Sequence, residues 1–228
     1  MDWAKLERWL LAALDDEPGV LAELEGEWIA LREQQDPLPA LLVASLAAQI
    51  VVTSFGNLTP LRKWVDRLVP ALTLEPADPL ARLQLASGLL CRMDFGDAKG
   101  ESGQHGQRVA RMGREAMAGM RLAGDWPHPN LALAAGEQLP GHYAQTGENA
   151  HGSVCVDEQV RLAAHPGVDP RLSARAIYWS AAALRLLDDI PRSQEVYAHL
   201  KESTAGLDWR WLKFQRTTME GRPAFDEF

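Results

Sequence analysis

Residues 79–96, PLARLQLASGLLCRMDFG, decide the fold class of this chain. Asp78 precedes them, Pro79 opens them and Gly96 closes them. Asp caps a helix N-terminus, Pro is pre-organised for the first helical position, and Gly supplies the left-handed residue that ends a helix. Between those ends Ala, Ser and Leu recur on all sides, and a helix that is apolar around most of its circumference must be buried. The stretch therefore predicts one buried helix of about five turns.

The same pattern occurs four times along the chain. Each copy opens with Asp-Pro or His-Pro, and the four prolines are Pro37, Pro79, Pro129 and Pro170. Each copy ends at a turn, marked by Gly56, Gly96, Gly147 and the pair Asp188-Asp189. The openings recur after 42, 50 and 41 residues. We therefore predict four equivalent buried helices, which we call the inner helices.

A more polar stretch follows each inner helix, and we call these stretches the outer helices. They cover residues 58–72, 104–120, 149–164 and 190–203. In the first of them Leu61, Trp64 and Leu68 fall at helical spacing on one face, while charged residues occupy the other. An apolar helix, a turn and an amphipathic helix, repeated at this period, are typical of tetratricopeptide-like solenoids. We predict an all-α fold, a right-handed superhelix of antiparallel helical hairpins, with four hairpins over residues 36–205.

The two ends of the chain differ from the four repeats. Residues 1–35 contain two helical patterns separated by a turn, and we predict a helical pair that caps the array. Residues 206–228 look like the start of a further repeat or a C-terminal tail, so we expect the chain to be a fragment of a longer protein. Trp209 and Trp211 would then cover an apolar end through which the chain could form a homo-oligomer. The longest turn, residues 96–106, is predicted to be a mobile loop.

Composition and charge favour a folded, soluble protein. Apolar residues make up 46% of the chain and charged residues 24%, which are ordinary globular proportions. The formal net charge of −8 argues against direct contact with nucleic acid or anionic lipid, and no basic patch stands out in the sequence. No apolar run reaches the length of a membrane span, and the N-terminus lacks the pattern of a signal peptide. We therefore expect a cytoplasmic protein in which Cys91 and Cys155 are reduced core thiols.

Three stretches carry a resemblance to a known family. They are DPLARLQLASGLL from residue 78, HPNLALAAGEQLPGHYAQTGEN from residue 128 and DPRLSARAIYWSAAALRLLDD from residue 169. Residues 36–205 resemble the tetratricopeptide-like repeat region of bacterial transcriptional regulators of the MalT and LuxR type, which belong to a class of signal-transduction ATPases. The resemblance implies an array that receives an inducer, docks a regulator or multimerises. Unlike the full proteins, this sequence has no phosphate-loop pattern and no recognisable helix-turn-helix motif.

Residue patterns that carry chemistry are absent from the sequence. No Gly-rich loop ends in Gly-Lys-Ser or Gly-Lys-Thr, so no nucleotide cofactor is expected. The histidines are dispersed; His142 and His151 flank the Gly147 turn and could approach each other, but a solvated turn is the favoured interpretation over a metal site. No nucleophile stands in a pattern that supplies a base. We predict that the chain is not an enzyme and binds no cofactor or metal.

Function is predicted from the polar residues of the inner helices. Trp3, Trp9, Trp28 and Trp64 fall at helix-packing positions, so we expect them in the core rather than at an interface. Candidate binding residues on the concave surface of the superhelix are Gln49, Arg82, Arg92, Gln138, His142, Tyr143 and Arg175. Solvation at a helix edge is the alternative for each of them. The leading hypothesis is a module for interaction with an unidentified protein; the alternatives are a sensor with a metabolite pocket and, less favoured, a helical enzyme.

Overall fold

Helices are the regular secondary structure of the described part of the chain. The computed structural model describes residues 2–15, 19–53, 58–95, 104–124, 126–204, 206–209 and 212. Within those ranges there are helices and connecting turns but no β-strand. The all-α prediction is confirmed. None of the described helices combines the length and the apolar character that a membrane span requires.

The inner helices lie where the Asp-Pro and His-Pro openings predict them. They are α3 (Leu38–Thr53), α5 (Pro79–Phe95), the pair α7 (Pro129–Gly136) and α8 (Gln138–Thr146), and α10 (Pro170–Leu186). Asp78 Oδ1 accepts a hydrogen bond of 2.8 Å from the Leu80 N–H, and Asp36 and Asp169 cap α3 and α10 in the same way. Residues 40–51 of α3 are all buried, as their apolar composition requires.

The third inner helix is not continuous, which corrects the prediction of one five-turn helix there. It divides at Glu137, whose N–H bonds to the Ala134 carbonyl, three residues back rather than four. Pro140 explains the interruption, because it has no N–H to donate to the Gly136 carbonyl and its ring would clash with that carbonyl in a regular helix. The interruption gives α8 its own start at Gln138.

Three of the four outer helices are continuous and the first is not. The continuous ones are α6 (Gln104–Ala123), α9 (Asn149–Ala163) and α11 (Ile190–Ser203). The first is short, because α4 (Leu61–Asp66) gives way to a 3₁₀-helix over Val69–Thr73. Pro70 cannot donate to the carbonyl of Asp66, so the α-helix ends there. The predicted continuous helix over residues 58–72 is corrected accordingly.

Successive inner helices are packed against each other. Helix α5 packs on α3 and on α7, and α10 packs on both α7 and α8. Each inner helix also packs on the outer helix that follows it in the chain. The approach is closest at Gly88 of α5, where a Cβ would lie 2.8 Å from the Cα of Ser45 on α3. The Ser45 hydroxyl also donates to the Gln84 carbonyl, so small residues are required at this crossing.

The N-terminal helices α1 (Trp3–Leu14) and α2 (Val20–Leu31) differ in what they contact. Helix α2 packs on α3, whereas α1 also reaches the start of the third inner helix. Glu7 contacts His128 Nδ1 at 3.0 Å and accepts a hydrogen bond of 2.8 Å from Asn130. Asp15 forms an ion pair with Arg171, at the start of the fourth. Helix α1 thus contacts repeats that are distant in the chain, which a cap on the first repeat alone would not do.

The predicted core residues are buried or packed on the core. Trp9 and Trp64 are buried, and Trp3 and Trp28 are partly buried against the same core. Both cysteines are buried and unpaired, as predicted. Burial raises the pKa of both thiols, that of Cys155 to about 12, so neither is a ready nucleophile.

The C-terminal segment and the long turn are described only in part. Trp209 packs on the core and donates from its indole nitrogen to the Leu14 carbonyl at 3.2 Å. Trp211 and most of residues 206–228 lie outside the described residues, so a homo-oligomer through this end stays a prediction. Residues 96–103 of the predicted mobile loop also lie outside them, and the last three residues of that stretch belong to α6.

Candidate functional site

A pocket of about 230 Å³ lies among the inner helices, and we call it the central pocket. It is bounded by the C-terminal parts of α3, α5 and α10 and by α8. The residues that give it chemical character are Asp94, Glu137, Gln138, His142, Trp179 and Leu186. Such a convergence of a few polar groups in an apolar concavity is the usual form of a binding site.

Glu137 brings a buried carboxylate to this pocket from the interruption between α7 and α8. Arg175 of α10 meets it, with Nε 3.1 Å from Oε1, and the two side chains are 4% and 2% exposed. Burial raises the pKa of Glu137 above its usual value, although the nearby Arg175 guanidinium opposes that shift. The second carboxylate oxygen of Glu137 has no hydrogen-bond partner among the described residues.

His142 and Asp94 form a second buried polar pair at the pocket. His142 Nδ1 lies 3.0 Å from Asp94 Oδ1, and the side chains are 2% and 8% exposed. The contact orients the imidazole ring and, in the neutral form, places the proton on Nδ1. The other ring nitrogen, Nε2, has no partner in the described part of the chain and lies beside Gly106 of α6, where a Cβ would come within 3.4 Å.

Trp179 and Leu186 give the central pocket an apolar rim. They lie on the same helix, α10, and are 42% and 65% exposed. Large apolar side chains that stay exposed beside a concavity are a feature of interaction sites. The pocket itself is smaller than the roughly 300–1,000 Å³ of drug-sized ligand sites, so it fits a small group.

Three of the seven predicted binding residues belong to this site. Gln138 and His142 line the central pocket. Arg175 acts through Glu137 and is 3% exposed, so it is not a surface residue. Its predicted place on an open concave surface is corrected: the carboxylate of Glu137 holds its guanidinium inside the protein.

The other four predicted residues are not brought together. Gln49 and Tyr143 are buried, at 3% and 2% exposure, which corrects their predicted exposure on a concave surface. Their helices are enclosed on most sides, because each inner helix packs on its neighbours as well as on an outer helix. Arg82 is partly buried near the start of α5. Arg92, also partly buried, lies near Asp66 of α4, with 3.5 Å between Nη1 and Oδ1.

Sequence reasoning missed Asp94, Glu137 and Trp179. Glu137 could have been found, because Pro140 inside an otherwise helical stretch marks a break in the helix. A residue at such a break need not follow the helical periodicity of the stretch. Asp94 and Trp179 carry no such local signal. Their role depends on packing between segments far apart in the chain.

Each acid of the central pocket is paired with a basic side chain. Asp94 faces His142, and Glu137 faces Arg175. Over the described ranges there is no group of three or more His, Cys, Asp or Glu side chains that could hold a metal ion. The pocket can hold a ligand by shape and hydrogen bonding.

No protein-family model, curated protein or solved structure matches this chain. The resemblance to the repeat region of MalT- and LuxR-type regulators therefore rests on the quoted residues alone and stays a prediction.

Proposed function

We propose that this chain is a non-catalytic helical-repeat module that binds a segment of a partner protein, within a cytoplasmic bacterial transcriptional regulator or other signalling protein. The central pocket with its exposed rim of Trp179 and Leu186 is the observation that carries the proposal. Partner-binding surfaces concentrate their affinity in a few aromatic and apolar anchors around a well-packed pocket.

The proposed architecture is a right-handed solenoid of antiparallel hairpins. The succession of contacts supports it, since each inner helix packs on the next inner helix and on its own outer helix. Arrays with such nearest-neighbour contacts create an extended groove lined by the inner helices. The central pocket would lie in that groove, among the repeats that begin at Pro37, Pro79, Pro129 and Pro170.

The occupant of the pocket is an uncharged apolar or aromatic side chain of the partner. Each of the two carboxylates faces a basic side chain, Glu137 with Arg175 and Asp94 with His142. Neither carboxylate is therefore left to attract a cationic side chain of the partner. The volume of about 230 Å³ suits one inserted side chain, and Trp179 would pack on the adjoining peptide.

A peptide selection tests this function. A phage-displayed peptide library is selected on the wild-type chain, and the dissociation constant of the best peptide is measured by calorimetry. Trp179→Ser should weaken binding at least about tenfold, as expected for a central anchor. Leu122→Ser, on the exposed side of α6 at 77% exposure, is the control and should bind like the wild type. Equal affinity for the wild type and Trp179→Ser would contradict the proposal.

A second candidate is a sensor in which the central pocket holds a small metabolite. The buried polar pairs at the pocket favour it, because they could orient a small polar ligand. A thermal-shift screen with sugars, nucleotides and amino acids separates the two candidates, since a ligand that binds only the folded state raises the melting temperature. A stabilising compound that competes with the selected peptide would assign the pocket to the metabolite.

The regulatory setting is tested by the gene that encodes the chain. An adjoining signal-transduction ATPase or a DNA-binding domain in the same reading frame would support it. A reading frame with neither of them would count against a MalT- or LuxR-type regulator.

A further inference from the structure

Helix α6 carries three arginines that line a second pocket, of about 410 Å³. We call it the arginine pocket, and its lining is Gln107, Arg108, Arg111, Arg114, Tyr143, Glu148 and His151. Helix α8 contributes to both pockets, with His142 at the central pocket and Tyr143 at this one. The sequence showed no basic patch, and the helix creates one by placing these arginines three residues apart.

The positive charges of these three guanidinium groups have few carboxylates close enough to neutralise them. Arg108 and Arg114 form no ion pair and no hydrogen bond with any described residue, and the buried Nε of Arg114 has no acceptor among them. Arg111 has a carboxylate neighbour only at 3.9 Å, where its Nε approaches Glu115. Three guanidinium groups around one cavity repel each other, and an anion between them would relieve that repulsion.

The rest of the lining is also rich in donors. The Tyr143 hydroxyl has no hydrogen bond with a described residue, and burial raises its pKa to about 12, so it remains a donor at neutral pH. Glu148 is the acidic residue of the lining; its Oε2 lies 3.1 Å from His151 Nδ1, and its buried Oε1 has no hydrogen-bond partner among the described residues. The pocket therefore offers more donors and positive charge than its own acceptors can satisfy.

We propose that the arginine pocket binds a small molecule through a phosphate group. A phosphate monoester presents several acceptor oxygens and up to two negative charges, and arginine forks bind such groups with two parallel hydrogen bonds. The volume lies within the roughly 300–1,000 Å³ of small-ligand sites, so the pocket has room for the organic part as well. The net charge of −8 repels a polyanionic nucleic acid more strongly than a small dianion, so a small phosphorylated ligand suits the site better than nucleic acid does.

This site is independent of the proposed partner binding, and binding measurements test it directly. The probes are glucose 6-phosphate, inorganic phosphate and glucose, measured by calorimetry with the full chain in a low-salt, phosphate-free buffer. Glucose 6-phosphate should bind, phosphate should bind more weakly, and glucose should not bind. Binding of glucose as tight as that of glucose 6-phosphate, or no binding of either phosphate at millimolar concentration, would overturn the proposal.

Matched variants locate the site. Arg114→Gln and Arg108→Gln should each weaken glucose 6-phosphate binding about tenfold or more, as loss of a charge-assisted contact does. Arg121→Gln is the control on the same helix, since Arg121 pairs instead with Glu158 at 3.1 Å. It should stay within about twofold of the wild type. An equal loss in Arg121→Gln would reduce the effect to general charge and overturn the assignment.

A variant that gains affinity separates a local effect from unfolding, because an unfolded protein would lose binding. Glu148→Gln removes the negative charge from the lining and should tighten glucose 6-phosphate binding about threefold to tenfold. Unchanged or weaker binding would place the phosphate elsewhere. A short single-stranded oligonucleotide is the last probe; if it bound more tightly than glucose 6-phosphate and competed with it, a nucleic-acid ligand would replace the small molecule.

Discussion

The second and third repeats start from the same sequence pattern and differ in what they provide. In the second, Asp78 caps α5, and the helix runs without interruption with residues 83–91 all buried. In the third, His128 opens the helix with a positive φ of 54° and turns its ring to Glu7, and the helix is interrupted at Glu137. The regular repeat supplies the frame. The irregular one supplies α8, which contributes Gln138 and His142 to the central pocket and Tyr143 to the arginine pocket.

The buried pair at the interruption should give the largest effect on stability. Arg175→Met leaves the Glu137 carboxylate buried without its cation, and the free energy of unfolding at pH 8 should fall by about 3–5 kcal/mol. Glu137 already has a raised pKa, so the loss should be smaller at pH 5, where the carboxyl takes up a proton. Urea unfolding at pH 8 and at pH 5 measures both losses of stability.

A double variant provides the control for that prediction. Arg175→Met with Glu137→Gln removes both charges and should recover most of the lost stability. A double variant that is no more stable than Arg175→Met would show that the pair does not carry the effect.

The regular frame is tested at its closest helix crossing. Gly88→Ala places a Cβ against the Ser45 backbone and should destabilise the protein by about 1–3 kcal/mol. Gly119→Ala, on α6 with no atom near the added Cβ, is the matched control and should be neutral or stabilising by up to about 1 kcal/mol. Thermal or urea unfolding compares the two. Equal effects would argue against close packing of α3 on α5.

The N-terminal helices and the interruption in the third repeat should also differ in the sign of their pH dependence. Glu25 of α2 makes two hydrogen bonds to Arg67 at 2.8 and 2.7 Å, and its pKa is lowered to about 2, first by that contact. A lowered carboxylate pKa adds stability above the unfolded value of 4.5, and that stability is lost as the pH falls towards 2. Glu137, with its raised pKa, contributes in the opposite sense, because the folded state then binds the proton more tightly than the unfolded state does.

Arg67→Ala measures the first of these two contributions. It should reduce stability at pH 7 by on the order of 1–2 kcal/mol, after allowance for screening, and by less near pH 3. Arg62→Ala, on α4 and 80% exposed, is the control and should change stability little. A loss for Arg67→Ala that does not depend on pH would contradict the role of the Glu25 carboxylate.

The smallest expected change in stability concerns the proline that interrupts the helix. Pro140→Ala supplies the N–H that the Gly136 carbonyl lacks, and the gain of a hydrogen bond and the loss of chain stiffness should cancel to within about 1 kcal/mol. Binding should respond more, because Glu137 would move towards a regular helical position. The selected peptide should bind Pro140→Ala several-fold more weakly in calorimetry. Unchanged binding would separate the interruption from the central pocket.

Local signals in the sequence predicted the helices but not their partners. The Asp-Pro openings located α3, α5 and α10, because capping and the proline φ act within a few residues. Pro70 and Pro140 also carry enough local information to predict the two breaks, whereas the repeat pattern alone predicts continuous helices there. Contacts such as Glu7 with His128 and Asp94 with His142 join residues far apart in the chain. They depend on how the helices pack, which no short pattern encodes.

The same limit explains the result for the candidate site. Of the polar residues predicted on apolar helices, Gln138 and His142 line the central pocket. The sequence could not separate them from Gln49 and Tyr143, which are buried and do not line that pocket. A helix pattern shows which face a residue occupies but not whether a neighbouring helix covers that face.

An NMR map of the bound peptide tests the central claim, that this chain binds at the pocket among its inner helices. Amide and methyl shifts are recorded with and without the selected peptide. The account predicts that the largest changes cluster on α8 and on the C-terminal parts of α3, α5 and α10. Changes confined to α1, α2 and α11, with α8 unaffected, would contradict it.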